Sequence, residues 1–185
     1  MIDIHSHILP GLDDGAQDLY DTLEMVSLAA RSGITAMVAT PHCNIPGGFK
    51  NYFNEEYIEA VQSVREAVHR EGMQVNILPG AEAFGTDDLP KHIRDGKIMT
   101  LNQSKYLLME FAFDEDPKFM KHIVKKVQEL GVIPVIAHAE RYEFSQQEPN
   151  LIYELRKQGI PIQINKGSFQ GRFGRRAMKA AYMFL

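Results

Sequence analysis

Met1-Ile-Asp-Ile-His5-Ser-His7-Ile-Leu-Pro-Gly-Leu-Asp13-Asp14-Gly15 opens the chain. It reads as a short apolar strand, about Ile2 to His5, that runs at once into a loop containing Pro10 and Gly11. Residues i and i+2 of a strand share a face. His5 and His7 therefore aim two imidazoles at one point, as a metal ion requires. A His-x-His pair is often incidental by itself, so the rest of the chain must decide its meaning. A carboxylate of Asp13 or Asp14 can fold back onto the same point, and spacing does not choose between them.

Outward from this segment, strand-like and helix-like runs alternate. Asp18 to Ser32 has apolar residues at Leu19, Leu23, Val26 and Ala30, a helical period. Ile34 to Thr40 reads as a buried strand stopped by Pro41. Asn54 to Glu71 is a helix with Asn54 as its cap. Gln74 to Leu78 is a strand, and residues 83–103 are irregular, with a short helix and a turn. Tyr106 to Glu110 is a strand, Pro117 to Leu130 a helix, and Val132 to Ala137 a strand. Pro149 to Gln158 is a helix, Ile160 to Ile164 a sixth strand, and a last helix follows Gly171. Near-continuous apolar strands alternating with helices imply a parallel sheet covered by helices, an α/β fold. Neither a repeat nor a linker is visible, so residues 1–185 read as a single domain.

The chemistry-bearing residues recur at one place, the C-terminal ends of successive strands. His5 and His7 follow the first strand, His42 the second and Glu82 the third. Glu110 closes the fourth and His138 the fifth. Strand ends of this kind form one rim in parallel α/β folds, where active sites gather. Histidines with carboxylates suit zinc, manganese or iron. Bridging carboxylates allow ions about 3.5–4 Å apart. Glu110 lies in an otherwise apolar strand, where an unpaired carboxylate is costly. Arg141, three residues after His138, can grip a phosphate in bidentate fashion; the competing reading is a surface ion pair with Glu140 or Glu143. His69, His92 and His122 fall on helices or loops and read as ordinary surface residues.

Composition narrows the classes. The chain has 185 residues, a formal net charge of −4 and a single cysteine, Cys43. No basic block points to nucleic acid. One cysteine forms no internal disulfide, which fits a reducing cytoplasm. The N-terminus enters a strand directly, with no secretory signal, and no apolar run reaches membrane-spanning length. Cys43 lacks the phosphate loop and arginine of cysteine phosphatases and reads as a small buried neighbour of His42. Neither a nucleophile elbow nor a Walker loop occurs.

With these residues in hand, the chain resembles the polymerase-and-histidinol-phosphatase (PHP) metallo-phosphoesterases, and among them the bacterial capsule-locus protein-tyrosine phosphatases. The segments that carry the resemblance are residues 1–15, Ala39-Thr-Pro-His42, Gly80-Ala-Glu82, Leu108-Met-Glu110-Phe and Ala137-His-Ala-Glu-Arg141-Tyr. To these are added Ile164-Asn165-Lys-Gly167-Ser168 and Gly171-Arg-Phe-Gly174. Together they span nearly the whole chain.

The resemblance implies a distorted PHP-type (β/α)7 barrel and two or three divalent ions, manganese foremost, with iron or zinc as alternatives. It implies His5, His7, His42, Glu82, Glu110 and His138 as metal ligands, Asp14 as a contact from the first loop and Arg141 as the phosphate-binding residue. The implied substrate is phosphotyrosine on the tail of a cognate bacterial tyrosine kinase in capsule or exopolysaccharide regulation. The family pattern ends with a seventh strand carrying Asp-x-His, and that C-terminal run is absent here; the one Asp-x-His in the chain is Asp3-Ile-His5 in the opening strand. The barrel is therefore expected to be truncated to about six strands, with open edges that a homo-oligomer would cover. Two alternatives stay open: a PHP-type phosphoesterase acting on a small phosphorylated metabolite, and an inactive truncated form. The aromatic loop with Phe49, Tyr52 and Phe53 reads equally as a flank for a phenyl ring or as packing.

Overall fold

The computed structural model describes all 185 residues. It is a mixed α/β structure with parallel strands, divided into two compact units, Met1–Leu108 and Met109–Leu185.

In the first unit, β1 (Ile2–Ser6), β2 (Ala36–Ala39) and β4 (Asn76–Pro79) form a parallel sheet in the order β1-β2-β4. Ile2 lies beside Ala36, and Ala36 beside Asn76. Two helices cross over between them, α1 (Leu19–Arg31) and α2 (Glu55–Arg70). Each begins where a side chain satisfies a free amide. The Asp18 carboxylate accepts from Asp21 N at 3.0 Å, and the Asn54 side-chain oxygen accepts from Tyr57 N at 2.9 Å. Val61, Val64 and Val68 give α2 its buried stripe, while Met37, Val38 and Ile77 are buried in the sheet.

Both β2 and β4 break and restart. Beyond Thr40-Pro41, β3 (His42–Cys43) pairs in parallel with β5 (Glu82–Phe84), which follows Gly80-Ala81. His42 is thereby set directly opposite Glu82. The β1 end is tied to the same place. Ser6 N donates to Thr40 Oγ1 at 2.9 Å, Thr40 N donates to Ser6 O at 2.8 Å, and Ser6 Oγ donates to Val38 O at 2.7 Å. α3 (Leu89–Arg94) and a 3-10 turn at Leu101–Gln103 fill the stretch that the sequence leaves irregular.

β6 (Tyr106–Glu110) carries the chain into the second unit. There α4 (Pro117–Gln128) is capped by Asp116 and buries Met120, Ile123, Val124 and Val127. β7 (Ile133–Ile136) follows, with Ala137 N donating to Met109 O at 2.8 Å. The expected sixth strand, Ile160–Ile164, is reduced to one parallel bridge, Ile136 to Ile162. Pro161 has no N–H to give to a ladder. α5 (Glu143–Gln147), α6 (Asn150–Lys157), α7 (Lys166–Phe169) and α8 (Gly174–Phe184) complete the unit. No helix is long and apolar enough to cross a membrane.

Thr40 is fully buried. Thr40→Val keeps its shape but leaves the Ser6 amide without an acceptor, so we predict a loss of about 1–3 kcal/mol in urea unfolding. An unchanged midpoint would show that this tie does not hold the strand end.

Candidate metal centre

In the first unit, one oxygen organises the site. Glu82 Oε2 lies 3.0 Å from His5 Nε2, 3.2 Å from His7 Nε2 and 3.3 Å from His42 Nδ1. His5 and His7 place their Nε2 atoms 3.1 Å apart. His5 sits in β1 and His7 just past its end, where the register shifts between Asp3 and Ser6. The Glu82 side chain is 1% exposed, and those of His7 and His42 are about one-fifth exposed. Separations of about 3.0–3.4 Å are the edges of a polyhedron whose ligands stand about 2.1 Å from a central ion. His5, His7 and Glu82 at such separations fit a divalent cation, and His42 reaches the same carboxylate oxygen.

Asp13 and Asp14 take different roles. Asp13 is buried and hydrogen-bonded to His7 Nδ1 at 2.7 Å. It also accepts from His42 N at 2.9 Å and from Gly15 N at 2.9 Å. This contact fixes the His7 ring so that Nε2 faces the donor cluster, as a carboxylate behind a metal-binding histidine does. Burial would lower the His7 pKa, but its hydrogen bonds to Asp13 and Glu82 outweigh burial and raise it to about 10. Burial would raise Asp13, and its bond to His7, together with the two amides, holds it below the usual carboxylate value. The local field thus favours a cation at this point, where metal competes with protons. Asp14 is largely exposed, with Oδ1 3.4 Å from His42 Nε2. His7, Asp14 and His42 form a second group whose donor atoms lie within 4.8 Å of one another.

The loop that delivers these aspartates depends on Gly15. A Cβ there would stand 2.2 Å from the His7 carbonyl oxygen and 2.3 Å from His7 Cβ. Only glycine allows this approach, which Ala16 N completes by donating to His7 O at 3.0 Å.

The second unit holds its own donor pair. Glu110 Oε2 lies 3.7 Å from His138 Nε2, and both side chains are almost fully buried. His138 adopts a left-handed conformation, φ 34° and ψ 50°. For a non-glycine residue this costs about 1–3 kcal/mol and tends to mark working sites. Gln163 holds it there. Its Oε1 accepts from His138 N at 2.8 Å, and its Nε2 donates to Asn165 Oδ1 at 2.8 Å.

Arg141, half-buried at the end of a 3-10 turn (Ala139–Arg141), makes no ion pair with Glu140 or Glu143. The fully buried Glu140 carboxylate instead accepts from Asn165 N at 3.1 Å and from Ser168 Oγ at 2.5 Å. Sequence reasoning missed the roles of Gln163, which bonds His138, and of Glu140, which bonds Asn165 and Ser168, across 25 and more residues.

The remaining candidates divide. Cys43 is fully buried, its thiol donates to Lys50 O at 3.0 Å, and burial pushes its pKa up to about 12. His69 and His122 are exposed, and His92 packs against Tyr52 with ring centroids 5.1 Å apart. Phe49 stacks on His42, at 6.1 Å and 8°. Phe49 and Tyr52 line a cavity of about 380 Å³, whereas Phe53 packs edge-on against Tyr57.

Over residues 1–185 the chain matches the family described as capsular polysaccharide synthesis, CpsB/CapC. The chain belongs to the CpsB/CapC family. It is 39% identical over 175 residues to the tyrosine-protein phosphatase YwqE of Bacillus subtilis (strain 168), covering 95% of this chain and 68% of that one. To the tyrosine-protein phosphatase CpsB of Streptococcus pneumoniae it is 33% identical over 165 residues, covering 89% and 67%. It superposes with a TM-score of 0.90, at 37% identity, on a crystal structure from work on YwqE and CpsB as metal-dependent tyrosine phosphatases. That match covers 98% of this CpsB/CapC chain and 73% of the other.

Asp13→Asn removes the charge behind His7 while keeping its size. We predict that it weakens manganese binding about 10–100-fold, as measured by calorimetric titration, and that Asp14→Asn weakens it less. Equal losses from the two changes would contradict the assignment of Asp13 as the residue that orients His7.

Proposed function

We propose that this CpsB/CapC member is a metal-dependent protein-tyrosine phosphatase that hydrolyses phosphotyrosine on a bacterial tyrosine kinase in capsule synthesis. The observation that carries the reading is the Glu82 carboxylate ringed by His5, His7 and His42, in a chain related along its length to named tyrosine phosphatases. His5, His7, His42 and Glu82, with Glu110 and His138, would hold two or three divalent ions, manganese by preference. Such ions lower the pKa of a bound water and polarise phosphoryl oxygens.

The chain's own groups do the rest. Asp13 keeps His7 in the tautomer that offers Nε2. Arg141, unpaired with any carboxylate, offers its fork of N–H groups to the non-bridging phosphate oxygens. Asp14, exposed beside His42, would contact the site from the first loop. A tyrosine leaving group, with a pKa of about 10, needs little help from a general acid. We further propose that the parallel strands belong to a PHP-type barrel forming one phosphatase domain, and that it works in the cytoplasm.

The test is hydrolysis of a phosphotyrosine peptide by the 185-residue chain. Chelation with EDTA followed by dialysis should reduce turnover to background, manganese should restore it, and His5→Ala/His7→Ala should abolish the restoration. Turnover of a small phosphorylated metabolite without turnover of the peptide would replace the substrate assignment. Peptide turnover that survives chelation would contradict the metal reading.

A further inference from the structure

The guanidinium of Arg141 lies over two phenyl rings. Its Cζ lies 4.2 Å from the Phe113 ring centroid and 4.3 Å from that of Phe173. Two aromatic rings therefore hold the cation without using any of its N–H donors, which are left to meet a ligand. The rings are fixed in turn. Phe113 meets His138 edge-on at 5.5 Å and Tyr142 at 6.3 Å. Phe173 is held by a tight turn in which Arg172 N donates to Gly167 O at 3.0 Å. Gly167 leaves the space that Phe173 uses: a Cβ there would stand 3.3 Å from Phe173 Cε2 and 3.1 Å from Arg172 Cδ. The two phenylalanines remain 42% and 38% exposed.

We propose that Phe113 and Phe173 are positioning residues that clamp Arg141 and present its N–H edge to a phosphate group, a role that rests on the phosphatase reading above. The physical advantage is preorganisation. A free arginine loses rotamer freedom when it grips an anion, whereas a stacked one has already lost it. Stacking on an aromatic face also attracts the cation without consuming an N–H donor. A carboxylate partner would hold Arg141 equally well but would occupy the edge that phosphate needs. Glu140, next in sequence, is kept from doing so by Asn165 and Ser168.

The experiment is binding of inorganic phosphate to the manganese-loaded 185-residue chain by calorimetry. Both rings are more than one-third exposed, so Phe113→Leu/Phe173→Leu should fold, which circular dichroism checks. The pair should weaken phosphate binding about 5–10-fold, while Phe113→Tyr/Phe173→Tyr should keep it within about twofold of wild type. In an Arg141→Ala background the leucine pair should cause no further loss. Gly167→Ala, which displaces Phe173 without changing its chemistry, should fall between. Undiminished phosphate affinity in the leucine pair, or an equal loss in the Arg141→Ala background, would overturn the clamp. So would phosphate binding that is indifferent to Arg141. Phosphotyrosine turnover by the wild-type chain is a separate readout, so failure of the phosphatase reading is distinguishable from failure of the clamp.

Discussion

Glu82 is a carboxylate with almost no contact with water, and one of its oxygens has three imidazole nitrogens within 3.3 Å. A carboxylate taken out of water costs several kcal/mol unless cations compensate it. The histidines around it are costly in their own way, because crowding three rings around one oxygen leaves little room for ordinary solvation. The cluster is consistent only if positive charge is shared across it. Against the pull of burial, the carboxylates of Asp13 and Glu82 favour positive charge on His7 and raise its pKa to about 10. A divalent ion supplies more and would draw on every donor at once.

Much of the first unit follows from the need to bring those four side chains together. They come from three places along the chain, residues 5–7, 42 and 82. The backbone solution is to end two parallel strands early and restart them one step on, so that His42 faces Glu82 in a two-residue ladder. The β1 end is bound to the same point by Ser6 and Thr40. Behind them, Asp13 gathers His7, the His42 amide and the Gly15 amide onto one carboxylate. The second unit follows the same logic with different parts. His138 sits in a left-handed turn that Gln163 stabilises, and Glu140 ties the next turn to the start of α7. In the second unit the one non-glycine residue with positive φ, His138, carries a donor.

The sequence made the α/β alternation legible because long apolar runs and helix caps are local signals. Asn54 caps its helix as its position before Glu55 implies, and Tyr106–Glu110 is a strand; the caps Asp18 and Asp116 emerge only in the structure. The short β3 and β5 were not legible, since two- and three-residue strands have no periodicity to read. Ile160–Ile164 looked like a strand by composition, but Pro161 and the side-chain work of Gln163 leave it only a bridge. The histidines and Glu82 were visible because they repeat at strand ends. The choice between Asp13 and Asp14 was not, because adjacent residues in a glycine-bounded loop point in directions set by tertiary contacts. The pairing of Phe113 with Phe173 was not legible, although Phe173 lies in the Gly171-Arg-Phe-Gly174 segment, because the two are related only through Arg141.

The central claim is that Glu82 and its three histidines form a metal centre. The most direct measurement is a manganese titration of the wild-type chain and of Glu82→Gln by calorimetry, with circular dichroism confirming that both fold. Glutamine keeps the shape and removes the shared negative charge. The account predicts that the variant binds manganese at least about 100-fold more weakly, or with one fewer ion. Equal affinity and equal stoichiometry in the two proteins would contradict it.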